Sequence, residues 1–402
     1  MCYLEIRQRA NVFAQWMIVA SGIAIALPTF WIGLTEGLFL IAWLIGGDYS
    51  NKWRRIWNNP VARISLILAI FGIVSMAWSP VNFVAAFDGL GHYRELLLIP
   101  LMLSLMDDLR WAMRTLYGFI AGLGFALFWS YLQWFGWVPL YAGIGHYGGF
   151  SGHIGFSTML AFLVVASFWL ALYQKEYRWL WITLGLLALF NLFIINTGRT
   201  GQLILFALIP LALFRILRWR GFILAGGLMA VLAVGLYTLA PTFNDRVQAA
   251  ISDLNQYQAG NSNTSWGLRL EFWRNTLALA KTHPLMGGGT GSMPHEYAQL
   301  AEIKGLSGEH VADNPHNEYL MILTQWGLVG LLLFIGLLWI QWRTSTQLSP
   351  LERQLAEALV LTMAIGCLFN SFLLDNLEGH FYALLTIALW WNVRSKSVHS
   401  SS

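Results

Sequence analysis

Apolar residues in this chain gather into long runs broken by short polar connections. Runs of about 20 mostly apolar residues, the length that crosses a bilayer as a helix, lie near 11–28, 29–47, 61–78, 83–106, 111–136, 154–173, 178–196, 201–217, 220–240, 317–341, 354–374 and 378–394. The pattern predicts an all-α integral membrane protein with about 12 transmembrane helices. Only Pro28 and Thr29 separate the first two runs, and a kinked re-entrant pair gives the same signature. One connection is unlike the others: residues 241–316, about 76 in length, a size at which loops are usually functional. The expected organisation is therefore 1–240 as a bundle of about nine spans, 241–316 as a loop with amphipathic helices, and 317–402 as about three spans with a tail.

Composition agrees. Hydrophobic residues make up 57% of the chain and charged residues 11%, where a soluble domain carries roughly a quarter charged. The 21 Trp, 25 Phe and 14 Tyr suit a chain with many membrane interfaces and predict contact with membrane lipids. Nucleic-acid binding is not expected despite the net charge of +4. The two cysteines, Cys2 and Cys367, cannot organise the fold by disulfide or metal. The first apolar run lacks an A-x-A-like site and is expected to be retained, and the tail SVHSSS reads as disordered.

Charge fixes an orientation. With alternate connections assigned to alternate sides, one face collects 17 of the 24 basic residues, and the positive-inside rule makes it cytoplasmic, together with both termini. The seven cations left on the outer face are Arg94, Arg199, Arg246, Arg269, Arg274, Lys281 and Lys304. Two of them have unusual positions. Arg199 lies in the tight connection TGRTG, where Gly198 and Gly201 would let backbone approach a ligand and Thr200 would cap the following helix. Arg269 lies on a helix predicted from a cap at Ser265, inside an arc of Trp266, Leu270, Trp273, Leu277 and Ala280, with Glu271, Arg274, Asn275 and Lys281 opposite. A guanidinium on an apolar face calls for an anionic partner or a polar surface.

After GGGTGS, expected to be a flexible turn, the chain returns to the membrane through DNPHNEYLMILTQWG. Asn317 is the expected helix cap, which puts His316 at a helix N-terminus. There the macrodipole favours neutral imidazole, a base near neutrality.

PHNEYLMILTQWGLVG after SWGLRLEFWRNTLALAKTHPLMGGGTGS, preceded by TGRTG and followed by DNLEGHFYALL, resembles the O-antigen ligase and polymerase superfamily over roughly residues 150–390. The resemblance implies a GT-C-like fold in the bacterial inner membrane. It also implies metal-independent, inverting transfer of glycan from an undecaprenyl-diphosphate carrier at the periplasmic face, without a cofactor. Chain length near 400 is more similar to the ligase joining O-antigen to lipid A-core than to protein O-oligosaccharyltransferases; a polymerase extending the carrier-linked glycan is the nearer alternative. Carried over by position, Arg199 and Arg269 would bind the donor diphosphate and His316 would deprotonate the acceptor hydroxyl.

Blander readings stand beside these. Arg199 could anchor at the interface, Arg269 could form a structural salt bridge, and a loop histidine is more often structural than catalytic. Arg94 could simply neutralise Glu95. Asp375, Glu378 and His380 could orient a catalytic group or satisfy helix ends. His146 and His153, seven apart, do not form a metal signature. A transporter would also suit many spans and an intramembrane Glu36, but the polar oddities gather at one face rather than at mid-membrane.

Overall fold

Helix dominates the computed structural model, which describes residues 3–141, 145–196, 198–239, 241–259 and 262–394. Cys2, Lys396 and the tail SVHSSS lie outside the described residues. Before the long polar segment come α1 (Tyr3–Ala24), α2 (Thr29–Ile45), α3 (Tyr49–Asn58), α4 (Pro60–Ser75), α5 (Phe83–Gly91), α6 (Glu95–Leu103), α7 (Leu109–Trp134), α8 (His153–Tyr173), α9 (Arg178–Phe190), α10 (Arg199–Leu217) and α11 (Trp219–Leu239). The segment itself carries α12 (Pro241–Gln258), α13 (Ser265–Ala280) and α14 (Ser292–Lys304). The chain then ends with α15 (Glu318–Thr344), α16 (Pro350–Phe369) and α17 (Asn376–Leu389). No strand occurs among the described residues.

Six helical segments among the described residues are long and apolar enough to cross a membrane: Pro60–Trp78, Leu109–Trp134, His153–Tyr173, Lys175–Ile195, Arg199–Leu217 and Glu318–Gln347. A seventh candidate is the pair α2 and α3, bent by 117°. The multi-pass membrane class is therefore evident, while the count of 12 remains an expectation. The run expected as one span over 83–106 is instead two short helices broken at His92–Arg94.

α8 forms the centre of the bundle, with Phe156, Met159, Leu160, Ala161, Phe162 and Leu163 fully buried, and packs against α9, α10 and α16. A buried Glu357 of α16 joins α10 to its own helix: Arg215 Nε donates to it at 2.6 Å and Arg353 Nε at 2.9 Å. The two arginines compensate a carboxylate that would otherwise be costly to bury.

The GGGTGS turn is not a flexible connection. α15 breaks at Gly327 (φ 64°, ψ −164°), a conformation essentially confined to glycine. The chain before and within the turn fills the break: Leu328 N donates to Pro284 O (2.9 Å), Val329 N to Leu285 O (3.1 Å), Gly288 N to Thr324 O (2.9 Å) and Gly289 N to Gln325 O (2.8 Å). Backbone groups that a broken helix leaves unpaired are thus satisfied from outside it. Thr290 is fully buried, donates to Gly72 O and accepts from Trp326 Nε1 (2.8 Å).

The buried stripe of α13 is rotated from the expected arc. Phe272, Asn275, Thr276 and Ala280 are buried, whereas Leu277 is exposed. The reason is α14, which packs on the side expected to be wet. There Asn275 Nδ2 donates to Tyr297 Oη (3.0 Å) and Asn275 Oδ1 accepts from Lys304 Nζ (2.6 Å). The cap of α13 is Thr264 rather than Ser265, its hydroxyl accepting from Gly267 N (3.1 Å).

Candidate functional site

α9 passes into a π-helical turn over Asn191–Ile195, and Asn196 Oδ1 then accepts from Gly198 N at 2.6 Å. This sharp exit places Arg199 at the first position of α10 with its side chain exposed. Two expectations for the connection need correction. Thr200 does not cap α10; the cap position is Gly198, with no side-chain cap bond. Gly198 and Gly201 serve packing within the protein: a Cβ on Gly198 would lie 2.2 Å from Ser157 Oγ, and one on Gly201 would lie 2.2 Å from Ser157 O. Their smallness brings the start of α10 against α8.

Arg269 approaches from α13. It is half-buried, and its Nη1 donates to Phe369 O at 3.2 Å. Trp273, one turn on, donates from Nε1 to Pro315 O at 3.0 Å, so α13 is tied both to the end of α16 and to the approach to α15. Burial, and then the charge of Arg199, disfavour the Arg269 guanidinium and lower its pKa.

His316 stands immediately before the α15 cap. Asn317 caps as the sequence predicts, its Oδ1 accepting from Leu320 N (3.1 Å), while its Nδ2 donates to Leu368 O (3.1 Å). His316 itself has a left-handed backbone, φ 51°, uncommon outside glycine and typical of constrained functional positions. Its amide donates to Asn314 Oδ1 (2.8 Å), an oxygen that also accepts from Ser371 Oγ (2.8 Å). Burial lowers the imidazole pKa from its ordinary 6.5, Asn370 opposes the shift, and Arg269 adds to it.

Asn370 is the residue that the sequence reasoning missed. Its Oδ1 meets His316 Nδ1 at 2.9 Å and its Nδ2 donates to Asp375 Oδ2 at 2.6 Å. A carboxylate only accepts, so the Asn370 NH2 faces Asp375 and its oxygen faces His316. That oxygen only accepts, so Nδ1 of His316 carries the proton and Nε2 keeps its lone pair. Burial raises the Asp375 carboxyl to about 6, which leaves it an anion at neutral pH. A polar residue closing an apolar run, five positions before Asp375, was the available signal.

The remaining candidates divide. Glu378 is buried beside Gly155, where a Cβ would meet its carboxyl carbon at 3.0 Å. His380 does not join His316. Its Nε2 lies 2.8 Å from Glu36 Oε1 and its Nδ1 3.0 Å from Glu95 Oε1. Arg94 completes this second cluster, 3.9 Å from Glu36 and 3.8 Å from Glu95. Arg94 and Glu95 are therefore two members of a four-residue group joining α2, α6 and α17, and Glu36 is partnered. His146 and His153 stack edge to face at 5.0 Å, and His153 N donates to His146 Nε2 (3.0 Å).

Residues 184–335, less than half of the chain, match the family model described as O-antigen ligase, Wzy_C. The matched span includes Arg199, Arg269, His316 and the Gly287–Gly327 contact. An uncharacterized protein of Haemophilus influenzae is 32% identical over 114 residues, 27% of this chain. The chain matches only 29% of that relative's length.

Proposed function

We propose that this chain is a member of the O-antigen ligase family and transfers glycan from undecaprenyl diphosphate to the oligosaccharide of lipid A-core, at the periplasmic face of a bacterial inner membrane, by an inverting, metal-independent mechanism on a GT-C-like bundle. The reading takes residues 241–316 as periplasmic, between bundles 1–240 and 317–402, with both termini cytoplasmic. It is carried by one observation: Arg269 from α13 and His316 from the approach to α15 meet at the same end of α16, on the adjacent residues Phe369 and Asn370.

In the proposed step, Nε2 of His316 takes the proton of an acceptor hydroxyl as that oxygen attacks the anomeric carbon. The bond from the anomeric carbon to the diphosphate oxygen breaks, and undecaprenyl diphosphate leaves with both bonding electrons. Arg199 and Arg269 bind the diphosphate and stabilise the charge that grows on it, where preorganised cations act most strongly. The proton passes from His316 to solvent once product has left. Asn370 and Asp375 act as positioning residues, keeping the lone pair of Nε2 on the substrate side.

Glycolipid analysis of a deletion strain tests the reading. Loss of a ligase leaves long polymer on the undecaprenyl carrier and bare lipid A-core. Lipid A-core capped with single repeat units would instead identify a polymerase, and unaltered glycolipids would reject glycan transfer altogether.

A further inference from the structure

Away from the His316 site, the polar segment and the bundle line a half-open cavity of about 590 Å³, within the range of small-molecule sites. Trp78 forms one wall. Its Nε1 donates to Gly287 O at 3.3 Å, and the residue is 36% exposed. α14 contributes His295, Glu296 and Gln299 to the lining, and the turn after α13 contributes His283. Gln299 Nε2 lies 3.1 Å from His295 Nε2.

Glu296 gives the cavity its chemistry. Its carboxylate occupies the space left by the missing side chain of Gly288, where a Cβ would fall 2.0 Å from Oε1. Oε2 is shut off from water. Burial pushes the carboxyl above the ordinary carboxylate range, opposed by His283, by a hydrogen bond from Ser292 and by His295. The walls are firm, since the GGG turn is bonded into the α15 break and α14 packs through buried Met293, Tyr297 and Ala301.

We propose that this cavity binds a carbohydrate. A sugar ring has an apolar face of C–H groups that can lie on an indole, and a rim of hydroxyls that donate to a carboxylate and exchange hydrogen bonds with imidazole and amide groups. The carboxylate repels phosphate, so the diphosphate belongs at the arginines and a neutral part of a glycan belongs here. Among the described residues no three His, Cys, Asp or Glu side chains converge as metal ligands. Leu279 lies ten residues beyond Arg269 on α13, about 15 Å along a helix. A glycan whose reducing end sits at the arginines or at His316 could extend this far, a few sugar rings away. The inference takes the nature of the glycan from the glycan-transfer reading, and the source is either the donor polymer or the acceptor core.

Calorimetric titration of the full chain in nanodiscs tests it with two lipid-free probes: the core oligosaccharide released from lipid A and the repeat-unit oligosaccharide released from its carrier. Saturable binding of one of them is expected, and which one binds identifies the source. Glu296→Gln and Trp78→Ala should each weaken it at least tenfold, and Trp78→Phe less. Absence of binding by either probe, or equal binding by the wild type, Glu296→Gln and Trp78→Ala, overturns the site. Binding abolished by moderate salt would likewise overturn it, as ion exchange. A chain that binds a probe through Trp78 and Glu296 but transfers no glycan keeps this inference while losing the proposed function.

Discussion

Gly287 and Gly327 touch backbone to backbone: a Cβ on Gly287 would stand 2.5 Å from Gly327 N, and one on Gly327 would stand 2.5 Å from Gly287 N. Both have positive φ. The contact joins the polar segment carrying Arg269 to the helix that begins just after His316, so the geometry of the site depends on it. Gly327→Ala should destabilise the chain by about 1–3 kcal/mol from overlap alone, with a further penalty for its glycine-only conformation. Thermal unfolding in detergent should show a clearly lowered midpoint, whereas Val329→Ala, outside the contact, should shift it less. Equal midpoints for Gly327→Ala and the wild type would contradict the packed turn.

The arginines should separate charge from shape. Arg269 is half-buried with one nitrogen held by Phe369 O, whereas Arg199 is exposed. Lys keeps the charge but loses the planar fork. Arg269→Lys is therefore expected to lose more transfer than Arg199→Lys, and both alanine variants to raise the donor KM and lower kcat. Normal kinetics for Arg199→Ala and Arg269→Ala, at normal expression, would remove the diphosphate assignment. Transfer should also persist in excess chelator; activity lost there and restored by magnesium would refute the metal-independent mechanism.

Much of this was legible in the chain because membrane physics is local. Apolar runs, the cap at Asn317 and the odd position of Arg269 can all be read from neighbours in sequence. What escaped depends on partners distant in sequence. The wet face of α13 was assigned without α14, which buries Asn275. Glycine clusters look alike whether they serve ligand approach, flexibility or packing, and at Gly198, Gly201 and Gly287 the neighbour is protein backbone or Ser157. Asn370 carries no local signature beyond a polar helix end, yet it is the residue that fixes the proton on His316.

Orientation follows from the charge alternation and can be tested at Ser262, in the connection before α13. A cysteine there should react with an impermeant thiol reagent applied from the periplasmic side, while Cys367, fully buried, stays unlabelled and serves as the internal control. With Cys2 replaced by Ser, labelling only in inverted vesicles would reverse the topology and move the proposed site to the cytoplasm.

His316 and its supports should show opposite effects on the acid limb of the pH–rate profile. His316→Ala should reduce kcat about 10²- to 10⁴-fold while leaving carrier-lipid binding nearly unchanged, because a base acts on the transition state. In the wild type, burial and Arg269 hold the imidazole below 6.5. The base is therefore fully available at neutral pH and is lost only as pH falls through that lowered value. Asp375, raised to about 6, titrates nearby, and its protonation removes the anion that orients Asn370. The hydrogen bond that His316 Nδ1 donates to Asn370 Oδ1 favours the charged imidazole, so Asn370→Ala should move the acid limb to lower pH and reduce kcat by losing the tautomer. Arg269→Ala removes a repelling charge, so its residual activity should have an acid limb moved to higher pH. Asp375→Asn can offer Asn370 either a donor or an acceptor, and should lower kcat about tenfold or more without changing donor KM. Acid limbs that coincide in the wild type, Asn370→Ala and Arg269→Ala would mean that the titrating group is not His316.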